Sequence, residues 1–348
     1  MSLNVNNGTL DLRTGILKEH NRSDLITKIG PVEYHAGARS ERWDAFLDRI
    51  FSGKKALIAY VKRAVGMSAT GDTGERVLLF CHGDGANGKT QLMTAIRLTL
   101  GDYAGESEPS TFTHRKDPRG PNENIAALYR LRFVTSVETD ASQHLDVSVL
   151  KRATGGESLW YERKFGHGFP FKPEFTLWLC GNEEPVITDT TNSIWDRLKK
   201  IPFSVRIPQE EQIRDYGIKL FRECKSAILA WIVEGCLEWQ ATGLQQPEEV
   251  TVATQAYRDD QDVLHDFFAE ECRSDMDADT LTVSNLFKHY KEWCDTNHVH
   301  SLGKIIFNSK VMARSAVKFS GTGNKPTWRG IRLATSEEKS KVNGEVNS

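Results

Sequence analysis

Between residues 40 and 65 the apolar positions recur at helical spacing: Trp43, Phe46, Leu47, Ile50 and Phe51, then Leu57, Ile58, Val61 and Val65. Together with a turn-rich start, NNGTLDLRTG, which suits a short hairpin, this predicts a small, mainly helical domain over residues 1–70. The pattern changes after Gly74. Residues 76–81 (RVLLFC) form a continuous apolar run, as expected of a strand buried on both faces of a parallel sheet. A Gly-rich loop follows, then helical spacing over residues 91–100. Two further buried-strand runs stand at 131–137 (LRFVTSV) and 175–180 (FTLWLC). Strands separated by helical segments predict an α/β core with a parallel sheet, assigned to residues 71–245. Residues 208–243 read as helical and 243–254 (GLQQPEEVTVAT) as a linker. A third unit covers 256–333, and the polar residues 334–348 are expected to be disordered.

Composition narrows the classes. In 348 residues, 39% are hydrophobic and 26% charged, which suits a soluble globular chain of two or three domains. The net charge of −2 gives no global sign of a nucleic-acid binder, so any such contact must come from local clusters. The six cysteines form no CxxC pair and read as reduced, buried thiols of a cytoplasmic protein. The start is polar rather than signal-like, and no run approaches the ~20 apolar residues of a membrane span.

The strongest chemical signal is GDGANGKT at residues 83–90, which matches G-x-x-x-x-G-K-[ST] between a predicted strand and a predicted helix. Gly83, Asp84, Gly85, Ala86, Asn87, Gly88, Lys89, Thr90 and the following Gln91 are the expected ATP-binding residues. Glycines let the backbone curl so that successive N–H groups face phosphate oxygens, and the helix N-terminus adds to the same field. Lys89 supplies a point charge for the β- and γ-phosphates, and Thr90 a hydroxyl for Mg²⁺. Such a site also needs a carboxylate at the end of a neighbouring strand. The run LRFVTSVETD ends in Glu138 and Asp140, and Glu138 is the candidate both for Mg²⁺ and for polarising the attacking water. Asn182, just past the third strand, either orients a water or is a turn residue, since Gly-Asn is turn chemistry. Arg197, anchored between Trp195 and Phe203, is either a solvated charge or a group that reaches a neighbouring subunit's nucleotide.

Two basic clusters are candidate DNA contacts. The segment TGGESLWYERKFGHGFPFKPEF suits a β-hairpin with its turn near Phe165 to Gly168. Arg163, Lys164 and His167 there suit phosphate contact, or form an ordinary solvated hairpin. Residues 301–333 carry seven basic residues, Lys304, Lys310, Arg314, Lys318, Lys325, Arg329 and Arg332, and no acidic one. A helix near residues 303–314 followed by a Gly-rich hairpin suggests a winged helix. Lys304, Lys310 and Arg314 are the DNA-binding candidates. The competing reading is a basic face paired with the acid-rich stretch at 258–279. Cys294, His298 and His300 lie close together but lack a second ligand pair for zinc.

In order, these motifs resemble the superfamily 3 helicases of the phage/plasmid primase–helicase (poxvirus-type) group. GDGANGKT is similar to its motif A, VETD at 137–140 to motif B, LKRATGGESLWYERKF at 150–165 to the superfamily's own motif, LCGNEEP to motif C and IWDRLKKIPF to the arginine-finger segment. The resemblance implies an AAA+ type P-loop core, with the small helical domain before it and a winged-helix-like domain after it. It implies catalytic roles for Lys89, Glu138, Asn182 and Arg197, with ATP and Mg²⁺ as cofactors. It also implies a homo-hexameric ring translocating 3′-to-5′ on single-stranded DNA at forks, with the hairpin in the pore. Val137 stands where some members have a second acid, which makes Asp140 a further metal candidate, and Asp196 stands where a second basic residue often precedes Arg197. The helicase-like region begins near residue 1, so a primase is expected either as a missing domain or as a separate protein. The expected setting is the cytoplasmic replication of a phage, plasmid or other mobile element. The runner-up is an ATP-controlled replication initiator, and a third reading is an ATPase acting on protein or RNA.

Overall fold

The computed structural model describes residues 1–114, 123–137, 144–161, 169–187, 192–262, 264–275, 281–314, 317–320, 326–335 and 338. The chain divides into two compact units, Met1–Tyr257 and Arg258–Ser348.

The first unit opens with an antiparallel sheet of β1 (Ser2–Val5), β2 (Gly8–Asp11) and β3 (Ile16–Lys18), which includes the expected hairpin. Then come α1 (Glu41–Ile50) and α2 (Lys55–Thr70). Ser40 caps α1 by accepting a hydrogen bond from the Trp43 N–H, and α1 buries the stripe Trp43, Phe46, Leu47 and Ile50. The central elements are β4 (Leu78–His82), α3 (Lys89–Leu100), β5 (Ala104–Ser107), α4 (Glu123–Ala126), β6 (Phe133–Val137) and α5 (Val147–Gly155). The hairpin β7 (Leu159–Tyr161) and β8 (Phe169–Phe171) follows, then β9 (Thr176–Gly181), α6 (Asn192–Trp195), β10 (Leu198–Pro202), α7 (Tyr216–Thr242) and α8 (Glu248–Asp260). The main sheet is parallel throughout, in the order β10-β4-β9-β6-β5.

That sheet separates two apolar cores, which is why its central strands read as unbroken apolar runs. In β4, Leu79 and Cys81 join one core while Leu78 and Phe80 join the other. The first core also contains Leu3, Leu10, Trp43, Phe46 and the buried face of α7. Residues 1–70 therefore do not fold apart as the small helical domain expected. They begin with a sheet, and α1 and α2 have only the central core in which to bury their apolar faces. The contact of α2 with α7 is close because it runs through glycine. A Cβ on Gly66 would run into the backbone of Cys236, and one on Gly235 into the carbonyl of Lys62.

The expected linker at 243–254 is in large part helix. α8 starts directly after Pro247, whose carbonyl accepts from the Thr251 N–H at 3.1 Å. Glu248 and Glu249 sit in its first turn, where the helix dipole favours acids, and Val250 and Tyr257 are buried.

The second unit comprises α9 (His265–Glu271), β11 (Cys272–Asp275), β12 (Leu281–Thr282), α10 (Val283–Thr296), α11 (Lys304–Ala313), β13 (Val317–Ser320) and β14 (Pro326–Leu333). β14 pairs antiparallel with β11, β12 and β13. Phe267, Tyr290, Phe307 and Trp328 fill this core, and Cys294 lies within it. All six cysteines are free, buried thiols. Among the described residues, no helix is long and apolar enough to cross a membrane.

Candidate nucleotide site

In the parallel register His82 stands beside Gly181, so the loops leaving β4 and β9 start side by side at the carboxyl edge of the sheet. The β4 loop, residues 83–88, leads directly into α3. Gly88 takes φ +87°, a left-handed conformation, and a Cβ there would lie 2.5 Å from Cγ2 of Ile50 on α1. A Cβ on Gly83 would run into the carbonyl oxygen of Phe203. The loop is also pinned by the Ile207 N–H donating to Ala86 O at 2.7 Å and by the Asn87 amide donating to Phe203 O at 3.3 Å.

Lys89 is 5% exposed. Its ammonium donates to the Gly83 carbonyl at 2.5 Å and to Oδ1 of Asn182 at 3.1 Å. Both partners are neutral, and burial lowers the Lys89 pKa from its ordinary value. Among the described residues no carboxylate pairs with it, so its charge is available to an anion. Asn182 directly follows β9 (Thr176–Gly181), just past the third strand. Thr90 is exposed at the start of α3. Glu138 and Asp140 lie outside the described residues. β6, which Glu138 would follow, pairs directly with β9.

These groups open onto a cavity of about 490 Å³, within the size range of cofactor sites. Gly85, Ala86, Asn87, Gly88, Lys89, Thr90, Gln91 and Asn182 form its polar end, whereas Gly83 and Asp84 do not line it. The rest of the lining combines Ala45 and Phe46 of α1, Ile207, Ile213 and Tyr216 with the polar Arg49, Glu211 and Gln212. The Phe46 and Tyr216 rings meet edge to face at 5.7 Å. Arg49 and Glu211 of this lining pair at 2.8 Å. The sequence reading missed this wall because its residues come from two segments more than 150 positions apart, with no motif spacing to join them. It also missed a polar cluster beside the loop, in which buried Lys200 of β10 pairs with Glu184, two residues past Asn182. Glu184 also stands 4.0 Å from His82. Burial, then the Lys200 charge, lowers the His82 pKa, which favours the neutral ring.

Arg197 does not join this constellation. Its carbonyl accepts from the Leu78 N–H at 2.9 Å, at the start of β4, so it sits at the amino edge of the sheet, opposite the loop. One guanidinium nitrogen donates to Ser193 O at 2.5 Å, and among the described residues Nε has no partner.

Of the DNA candidates, Arg163, Lys164 and His167 lie outside the described residues. The hairpin that carries them is present, with Leu159 opposite Phe171 and Tyr161 opposite Phe169. Lys304 is exposed, and its ammonium donates to Ser284 Oγ at 3.3 Å. Lys310 is half-buried on the same helix. Arg314 departs from expectation. It pairs with Asp262 and lies 4.5 Å over the Phe268 ring, and burial pulls its pKa down to about 10. Its guanidinium is used to hold the unit together, not offered to solvent. Arg332 likewise pairs with Asp275 and Glu338. The acid-rich stretch thus neutralises part of the basic one.

Comparison with known proteins bears on this arrangement. The family described as D5 N terminal like matches residues 1–52. Protein L207/L206 of Acanthamoeba polyphaga mimivirus, named as an inferred helicase, is 24% identical over 314 residues, covering 84% of this chain and 33% of that protein. Protein C962R of African swine fever virus, named as an inferred primase, is 26% identical over 242 residues, covering 64% and 25%. This chain is related to the D5-like viral helicases and primases. It spans a third or less of the length of these curated relatives. Among solved structures, the apo C-terminal region of NrS-1 is similar in fold, with a TM-score of 0.56 at 12% identity over 86% of this chain and 77% of that one. The D5-like match includes α1, so that amino-terminal segment supplies Ala45, Phe46 and Arg49 to the cavity.

Proposed function

We propose that the chain is an ATP-hydrolysing DNA helicase serving replication of a phage, plasmid or other mobile element. The observation that carries this is the Lys89 ammonium, held by two neutral partners in a cavity that also offers apolar lining from Phe46, Ile213 and Tyr216. That combination matches a nucleoside triphosphate, with phosphates on the loop amides and Lys89 and the base against Phe46, Ile213 and Tyr216. The cavity offers one buried cation, Lys89, and an exposed hydroxyl, Thr90, and its one described carboxylate, Glu211, is paired with Arg49, which suits a Mg²⁺-nucleotide. Thr90 and Glu138 would hold Mg²⁺, which supplies charge neutralisation at the transferred phosphate. Asn182 reports the γ-phosphate to the sheet edge through the contact it now makes with Lys89.

The position of Arg197, at the sheet edge opposite its own loop, suits action on a neighbour's nucleotide in a homo-hexameric ring. The segment that joins β7 to β8 in the sequence, which carries Arg163, Lys164 and His167, is the proposed grip on single-stranded DNA, with translocation 3′-to-5′ at forks. The relatives' names support a replication role and a primase, either as a further domain or as a separate partner. A cytoplasmic setting goes with this role. A second reading, an ATP-controlled initiator, is supported by the second unit, whose order of helix, two short strands, two helices and a hairpin we read as winged-helix-like.

The test is ATP hydrolysis by the purified protein with and without single-stranded DNA, with Lys89→Ala as control. Stimulation by DNA that the variant lacks supports the motor. Hydrolysis indifferent to DNA turns the reading toward the initiator.

A further inference from the structure

The ten-residue helix α11 has a surface that its own unit does not explain. Phe307 and Val311, one turn apart, are fully buried and anchor it. On the opposite side Ile305 is 87% exposed, Ile306 54% and Met312 53%. Helical geometry sets Ser309 between Ile305 and Met312 on that face. Of ten large apolar side chains strongly exposed among the described residues, three stand on this one helix. Scattered exposed aliphatics are ordinary, but a cluster on one helix face marks a binding surface.

The surrounding charge selects the partner. No acidic residue occurs from Ser301 to Leu333. Although Arg314 and Arg332 are neutralised within the unit, Lys304 remains exposed at the start of α11 and Arg329 is exposed on β14. Lys304 at the start of α11, within a stretch free of acids, favours an occupant that is anionic and also presents apolar groups. The major groove of duplex DNA meets both conditions: phosphates line its edges, and its floor carries the C5-methyl groups of thymine. Its width of about 12 Å admits an α-helix.

We propose that α11 enters the major groove and that Ile305, Ile306 and Met312 read thymine methyl groups, so that the second unit selects thymine-rich duplex DNA. Ser309, centred among them, bonds a base edge. The inference rests on the reading of this unit as DNA-binding, and it is independent of whether the first unit is a motor.

The test compares three fluorescently labelled duplexes of equal length against the full chain by anisotropy. One is A·T-rich, one is the same sequence with deoxyuridine for every thymine, and one is G·C-rich. Deoxyuridine removes only the methyl group. The expected result is binding of the thymine duplex about 5- to 20-fold tighter than the deoxyuridine duplex, each such apolar contact contributing modestly. Ile305→Ser with Ile306→Ser should bring that ratio to about one, while circular dichroism and ATP hydrolysis stay unchanged because both side chains are exposed. Equal affinity of the unaltered chain for the two duplexes overturns the proposal. A change of oligomeric state in the double variant with no loss of thymine preference assigns the face to a protein partner and overturns it as well. Absence of any duplex binding overturns both the inference and the DNA-binding reading beneath it. Hydrolysis by the unaltered chain that is indifferent to DNA, alongside the expected thymine preference, would support this inference and count against the motor reading alone.

Discussion

The glycine-rich loop at the candidate nucleotide cavity and the basic carboxyl-terminal stretch were both expected to bind phosphate, and the structure treats their charges differently. In the cavity the cation is pointed by backbone. Gly83 and Gly88 leave no room for side chains, the loop is bonded to residues 203 and 207, and Lys89 has one direction in which to extend. In the carboxyl-terminal stretch the charges sit on side chains free to find partners, and Arg314 and Arg332 found carboxylates of their own unit. A motif whose spacing constrains the main chain predicts where its charge will point. A bias in charge predicts only that charges are present.

The comparison can be broken or sharpened in several ways. The largest expected effect is on Lys89→Ala, which should lower ATP turnover roughly 10²- to 10³-fold, the usual cost of removing one preorganised donor, without changing the melting temperature much. Turnover at the normal rate would break the comparison at its root. Next is Gly88→Ala. With a left-handed φ and Ile50 at 2.5 Å, it should cost about 1–3 kcal/mol in denaturant unfolding and weaken nucleotide binding as well. A neutral substitution would mean that the loop is not held by α1.

A third probe separates the two parts of the cavity lining. Ile213 is 48% exposed, so Ile213→Asp should fold normally. It should bind ATP about 10-fold more weakly, equivalent to ~1.4 kcal/mol, and inorganic tripolyphosphate as well as before. Calorimetric titration of both ligands decides it, and equal loss for the two would deny the apolar lining a role in holding the base. The smallest effect contrasts two basic residues of the second unit. Arg314→Ala should destabilise that unit by roughly 1–2 kcal/mol by leaving Asp262 unpaired, with little effect on DNA affinity. Lys304→Ala should do the reverse, leaving stability intact and reducing the salt slope of DNA binding by about one. Matching salt slopes for the two variants would show that Arg314 reaches DNA after all.

How much could be read beforehand follows from burial. β4, β6 and β9 were legible because a strand covered on both faces is mostly apolar, with only small hydroxyl residues such as Thr135 and Ser136 of β6 between. The edge strands β5 (AGES) and β10 (LKKIP) were not. β5 carries no β-favouring residues, and Lys200 in β10 is tolerated only because Glu184 and the Tyr257 ring receive its ammonium. α8 was mistaken for a linker because its apolar residues, Val250 and Tyr257, are sparse and its start is rich in glutamine, proline and acid.

The sequence by itself determined the glycine-rich loop between β4 and α3, the central strands and the position of Asn182 past the third strand. Each of these depends on local spacing or on continuous burial, which adjacent residues record. Only the tertiary structure decided that the amino-terminal helices share the central core, that α1 walls the nucleotide cavity, that Arg197 faces away from its own loop and that Arg314 is already paired. Those outcomes depend on which distant side chains meet when two apolar faces are buried together, and residues far apart in the chain carry no joint signal of that meeting.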